Sequence, residues 1–360
     1  MKNTRHPGWG GFFIVTVLLS GPLSPVLANS VGTSGASFLD IPVGAAPAAL
    51  GSAYSVLANN AYAPVWNAAG LGFLPSTQVA AQHLSYVQGI NYEFLSVAHP
   101  LSPTKGFGLS AQYLGSGNIA ATDVAGNSVG TFSDNFGAYS AAYGQQLLPQ
   151  ISVGMAGKWI HAQLADVSAN AFAADLGAFY KVTPKMDLAA TVNNLGTTLK
   201  FLDAADSLPQ SDHLAAAYRP TKYATFSAEG VYTREGQLSG RFGAEWAPLQ
   251  AIHLRAGYHT DTLKELGAWT GITAGMGLDL WGQEFSYAWV PYGDLGNSQY
   301  FSFLLRFDGP DAQRRNLIQF NTIKRHQTVQ AHSAVADDEA DYQALMLLLG
   351  HDSPHIAQSK

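Results

Sequence analysis

The sequence predicts an all-β protein, a transmembrane antiparallel β-barrel of about 14 strands behind a cleavable export signal. Three observations carry this. The first is alternation. In Gln237-Leu238-Ser239-Gly240-Arg241-Phe242-Gly243-Ala244-Glu245-Trp246 one face reads Leu, Gly, Phe, Ala, Trp and the other Gln, Ser, Arg, Gly, Glu. A period of two is a strand with two chemically different sides. The second is composition. Charged residues are 12% of the 360, against about 25% in an ordinary soluble domain, with 37 Gly and 11% aromatics. No apolar run reaches the roughly 20 residues that a spanning helix needs. The third is the final alternating segment, which ends in Tyr300, Phe301, Phe303 and Phe307.

The N-terminus reads as a secretory signal over residues 1–28. Lys2, Arg5 and His6 form a basic start, Gly10 to Leu19 is apolar, and Val26-Leu27-Ala28 places the cut after Ala28. Gly21-Pro22 and Pro25 interrupt the run and make a retained anchor helix too short to span. Residues 29–75 do not alternate. Ala45 to Ala53 and Ala61 to Leu71 are rich in small residues with helix or turn character, and they predict a plug or hatch segment.

Residues 76–307 hold the barrel. Turn residues divide it into Thr77–Tyr86, Tyr92–Leu101, Gly106–Leu114, Phe136–Gln146, Ser152–Ala162, Ala171–Lys181, Met186–Asn194, His213–Arg219, Tyr223–Thr233, Gln237–Trp246, Ile252–His259, Gly271–Leu280, Gln283–Val290 and Gln299–Phe307. The longer connections, Gly115–Asn135, Gly196–Asp212, Thr260–Thr270 and Pro291–Ser298, all follow odd-numbered strands and share one rim. An even strand number returns both termini to the other, periplasmic, side. Residues 308–360 form a polar extension with a short amphipathic helix from about Asp338 to Leu349, where Tyr342, Leu345, Met346 and Leu349 share a face.

The facing of side chains follows from the period. Val153, Met155 and Trp159 face lipid while Lys158 faces in. Leu254 and Tyr258 face lipid while His253, Arg255 and His259 face in. An Arg or Lys on the lipid side near the midplane costs about 2–4 kcal/mol, so the scarcity of such charges is informative. The candidate lumen charges are Lys158, Asp175, Glu229, Arg241, Glu245, Arg255, Glu284 and Arg306. They fit a path for polar cargo, or opposite charges that pair between strands and brace the wall. The second reading is preferred.

Catalytic and metal signals are weak. The eleven His are scattered, there is no His-Glu-x-x-His, no phosphate-cradling Gly loop and no nucleophile elbow. With no Cys, disulfides, thiolate metal sites and a lipidated N-terminal Cys are excluded. No enzyme activity, cofactor or metal is expected, and a net charge of −6 gives no sign of nucleic-acid binding.

Gly35-Ala36-Ser37-Phe38-Leu39-Asp40-Ile41, Ala45–Ala53 and Trp66-Asn67-Ala68-Ala69-Gly70-Leu71 resemble the N-terminal signature of the PorV/PorQ family, relatives of the FadL-type barrels. Ala68 stands where that family has Pro. The likeness continues through Asn91-Tyr92-Glu93, Asn118 to Phe132, Asp175-Leu176-Gly177, Asn193-Asn194-Leu195-Gly196 and Tyr287–Phe307. On the residues alone, Trp66, Asn67, Gly70 and Leu71 read as a packed turn: Trp fills space, Asn bonds stray backbone groups and Gly permits the bend. The resemblance implies an outer-membrane protein that receives exported protein cargo and passes it to secretion-system components of a type IX pathway, with the loops Gly115–Asn135 and Pro291–Ser298 as cargo contacts. Two alternatives stand beside it. One is a FadL-like transporter of hydrophobic ligands with a plug and a lateral opening. The other is a structural surface barrel. All three are surrounded by outer-membrane lipid.

Overall fold

The computed structural model describes residues 34–261 and 268–307. The export signal and the amphipathic tail helix lie outside them. Fourteen strands close into an antiparallel barrel. In chain order they are β1 (Thr77–Ser85), β2 (Asn91–Ser102), β3 (Lys105–Gly115), β6 (Asp134–Leu148), β7 (Ile151–Leu164), β8 (Val167–Thr183), β9 (Met186–Gly196), β12 (Ser211–Thr221), β13 (Ala224–Thr233), β14 (Leu238–Leu249), β15 (Ile252–His259), β16 (Ile272–Leu280), β17 (Gln283–Pro291) and β18 (Asn297–Phe307). Four short strands make two hairpins outside the wall: β4 (Ile119–Thr122) with β5 (Ser128–Phe132), and β10 (Thr198–Phe201) with β11 (Ala204–Ser207).

Each strand keeps the two-sided pattern that builds it. In β2 buried and exposed residues alternate strictly over the first nine positions. The outer face carries exposed Leu95, Met155, Trp159, Phe172, Phe226, Phe242, Trp246 and Phe303. A belt of apolar side chains around the whole wall would be costly in water and is at rest in hydrocarbon. Several strands run past the ends that alternation marks; β8, for example, extends to Val167 and Thr183. The ladder continues there because cross-strand pairing does not require an apolar face once the strand leaves the membrane.

The inner face is lined largely by small and polar residues, because the lumen is filled by the N-terminal segment. That segment contains two short helices, α1 (Ala45–Ala49) and α2 (Ala63–Trp66), and 3-10 turns at Ser37–Asp40 and Ala68–Phe73. Ala45, Ala49, Val56, Ala61 and Tyr62 are all buried. Most of its backbone groups are outside regular structure and need partners away from water. The wall supplies them. Ser55 N–H donates to Glu229 Oε2 at 3.0 Å. Gly51 N–H donates to Thr273 Oγ1 at 3.1 Å, and that hydroxyl donates to Ala49 O at 2.9 Å. Ser152 Oγ donates to Ala69 O at 2.7 Å.

Close approach also needs absent side chains. A Cβ on Gly144 or Gly154 would stand 2.3 Å from Ala68 main-chain atoms, and one on Gly257 would stand 2.0 Å from Gly51 N. β6 and β7 therefore seat the Ala68–Phe73 turn, and β15 seats the end of α1.

The barrel closes where β1 pairs with β18, from Thr77 opposite Phe307 to Ser85 opposite Gln299. The N-terminal segment straddles this seam. Gly44 N–H donates to Gln82 of β1, and the next residue, Ala45, donates its N–H to Ser302 of β18 at 3.1 Å.

Toward the short-turn rim, on β14 to β18, an ionic network ties the wall. Arg255 reaches Glu245 at 2.7 Å, Glu284 at 2.7 Å and Ser286 at 2.9 Å. Arg306 reaches Glu284 at 3.0 Å and Asp279 at 2.9 Å. Arg255 is 7% exposed and Glu284 8%, so removing one member strands its partners away from water. Arg255→Met should lower stability by about 3–5 kcal/mol, with part recovered in Arg255→Met combined with Glu284→Gln. Urea unfolding in detergent measures both. Gly257→Ala should cost about 1–3 kcal/mol by overpacking the seat of α1, in the same assay.

Candidate functional site

Between the N-terminal segment and the wall lies a cavity of about 910 Å³. Tyr86, Leu164, Thr233, Gln237 and Tyr292, all at or beside strand ends on the long-loop rim, help to line it. The segment lines it with apolar Phe38, Leu39, Ile41, Val43, Val65 and Trp66, and the wall adds Leu114, Phe136, Val231 and Val290. The wall also supplies polar lining: Lys158, Asn193, Ser211, His213, Arg241 and His259.

Trp66, the first residue of the turn Trp66–Leu71, lines the cavity. The Trp66 indole N–H donates to Val43 O at 2.8 Å and its ring stands edge-on to Tyr54 at 5.7 Å. Asn67 holds three chain segments together. Its Oδ1 accepts from Ala69 N–H at 3.0 Å, and its Nδ2 donates to Ser55 O at 3.1 Å and to Ala178 O of β8 at 3.3 Å. A Cβ on Gly70 would stand 1.6 Å from Ala58 O, which leaves room for no other residue. Leu71 is 1% exposed and lies against Gly106 of β3. These four residues make packing and backbone contacts.

The eight charges fall into two groups. Glu245, Arg255, Glu284 and Arg306 belong to the short-turn network and do not line the cavity. Lys158, Asp175, Glu229 and Arg241 lie in or behind its polar wall. Lys158 pairs with Asp175 at 2.7 Å, both nearly buried. Lys158 also donates to Asn194 Oδ1 at 2.8 Å, Asn194 N–H donates to Asp175 at 2.8 Å, and Asn194 Nδ2 donates to Pro209 O at 2.9 Å. This network holds a bulge: between Ala174 and Leu176 of β8 the register to β9 slips, and Asn194 takes φ of 59°. Asn tolerates that left-handed conformation better than most residues with a side chain.

Arg241 bonds Asp261 through Nε at 3.2 Å and through Nη2 at 2.9 Å, and His259 bonds the other carboxylate oxygen. Burial would raise the Asp261 carboxyl, but His259 and Arg241 together hold it well below the usual carboxylate range. Asp40 of the segment edges the open cavity. Its carboxylate meets cavity space, yet the surrounding wall shields it from bulk water and pushes its pKa up to about 7, with Arg241 opposing and Glu235 and Asp261 adding to the rise.

Ser211 and His213 join Glu229 at the cavity wall. His213 Nδ1 lies 2.6 Å from Glu229 Oε1, and His213 Nε2 lies 2.9 Å from Ser211 Oγ. Sequence reading singled out only Glu229 of these. Ser211 and His213 share a strand face, which alternation could have flagged, but Glu229 joins them only through the β12–β13 register. Among the described residues no cluster of three or more His, Cys, Asp or Glu has metal-holding geometry.

No protein-family model matches the sequence, and no curated protein matches it. Among solved structures the chain is similar to the CymD monoaromatic hydrocarbon channel, with a TM-score of 0.53 and 12% identity, over 74% of this chain and 98% of that one. A Pseudomonas aeruginosa FadL homologue aligns with a TM-score of 0.49 and 10% identity, over 73% and 98%. The Pseudomonas putida toluene transporter TodX aligns with a TM-score of 0.46 and 14% identity, over 68% and 91%. At such identities the likeness is one of fold alone.

Proposed function

We propose that this protein is an outer-membrane channel for hydrophobic small molecules, with the N-terminal segment as its hatch. The observation that carries the reading is the cavity of about 910 Å³ whose segment side is apolar. It is set in a fold shared with CymD, which is described as a monoaromatic hydrocarbon channel. Burial of apolar surface drives a hydrophobic solute into such a space, and a few polar groups orient it. The test is uptake by intact cells that carry the full chain in their outer membrane. Radiolabelled toluene should enter faster than in cells without the protein, while a labelled disaccharide should not. Ile41→Trp, which fills the apolar side, should reduce toluene uptake severalfold. Equal entry of both solutes, or uptake indifferent to Ile41→Trp, would defeat the reading.

A second reading, binding of exported protein cargo, rests on the resemblance of Trp66–Leu71 and its neighbours to PorV/PorQ. It gains from one feature of the long-loop rim. The connection from β3 to β6, an expected loop, is a hairpin that presents exposed Val124 and Val129, and Leu202 and Trp269 are exposed on the same rim. Apolar residues at a water-facing tip suit contact with another protein. Deletion of Gly117–Ser133 should abolish capture of cargo from outer-membrane extract; capture that persists would remove this reading.

A further inference from the structure

Ser211, the first residue of β12, and His213, two positions on, face the lumen side of the wall and line the cavity. Behind them Glu229 of β13 has a fully buried side chain, and that of His213 is 8% exposed. The order of contacts is specific. The carboxylate is on Nδ1 at 2.6 Å and the hydroxyl on Nε2 at 2.9 Å. A carboxylate on Nδ1 fixes the tautomer with the proton there and leaves the Nε2 lone pair for the serine O–H. Glu229 is itself held, because its second oxygen accepts Ser55 N–H at 3.0 Å. Its ladder partner Arg241 is committed to Asp261. A brace for the wall would need only the His–Glu contact. It would not need a hydroxyl on the far nitrogen at the edge of a cavity.

Asn193 of β9 stands directly opposite Ser211 in the ladder and lines the same cavity. It therefore places a side-chain amide beside the serine, where an oxyanion would form.

We infer that Ser211, His213 and Glu229 form a hydrolytic triad that cleaves small carboxylic esters with an apolar acyl or alcohol part. The ester enters the cavity with its apolar part toward Phe38, Leu39 and Ile41. Ser211 Oγ attacks the carbonyl carbon, and its proton passes to His213 Nε2. The oxygen that gains the electron pair is stabilised by Asn193. Collapse of the tetrahedral species breaks the bond to the alcohol oxygen, which takes the proton from His213 and leaves. Water then attacks the acyl-Ser211 ester, giving a proton to His213. The second collapse releases the carboxylic acid and returns that proton to Ser211. Glu229 stays ionised and steadies the imidazolium in both halves. This activity goes beyond the channel reading and shares only its cavity.

The test uses the full chain purified in detergent, with p-nitrophenyl butyrate as substrate and a fluorophosphonate as covalent probe. The expected results are ester turnover, a fluorophosphonate adduct on Ser211 by peptide mass mapping, and a loss of at least about 100-fold in turnover in Ser211→Ala. The chain has no Cys, so Ser211→Cys provides a single thiol. Paired with His213, it should react with iodoacetamide well below the ordinary thiol midpoint of about 8.5. The inference is overturned by turnover that survives Ser211→Ala, by a folded wild-type barrel that neither labels nor turns over, or by alkylation of Ser211→Cys at the ordinary midpoint. Hydrolysis in detergent is read separately from uptake by cells, so failure of one leaves the other standing.

Discussion

The constraint on which the molecule depends is the need to satisfy, inside a closed wall, the backbone of a segment with little regular structure. A strand hides its amides in the ladder; the stretch from Gly35 to Leu74 cannot. Its polar groups are met by Gln82, Ser152, Glu229, Thr273 and Ser302, each on an inward position of a different strand. Where the two backbones meet directly, the wall gives up its side chains, as at Gly144, Gly154 and Gly257. Polar residues and glycines on the inner face therefore have a shared cause. They form the negative of the segment.

The same division sorts the inward charges. At the short-turn rim, Arg255 and Arg306 gather three carboxylates from β14, β16 and β17 and close a network within the wall. On the cavity side the charges do more varied work. Lys158 and Asp175 hold a left-handed residue in β9, Arg241 orders the start of the loop after β15, and Glu229 serves both the segment and His213. Pairing explains the first group completely. It leaves over, in the second, a serine, a histidine and an amide at the edge of an apolar space.

The fold was legible because strand period and bilayer chemistry write the same signal twice. Alternation marks each of the fourteen staves, and lipid forbids charge on one side. Loops carry no such signal. The hairpins β4–β5 and β10–β11 have no lipid-facing row; every residue of β5 is exposed. The bulge at Asn194 was hidden for another reason: Asn193-Asn194 reads as ordinary strand end until the register to β8 is known. Register also hid the convergence at His213, since Ser211 and Glu229 are eighteen positions apart and meet only through pairing. Glycine abundance was visible in the composition, but which glycines oppose Ala68 and Gly51 depends on how the segment lies within the wall.

The hydrogen bonds of Gly44 and Ala45 to the two strands that meet at the seam carry a consequence for biogenesis. The first and last staves are brought together around a peptide that was synthesised before either of them. Docking of that peptide and sealing of the ring therefore share contacts, because the strands on either side of the seam each accept a hydrogen bond from it. A ring sealed without the segment would leave the Gln82 and Ser302 side chains without these partners.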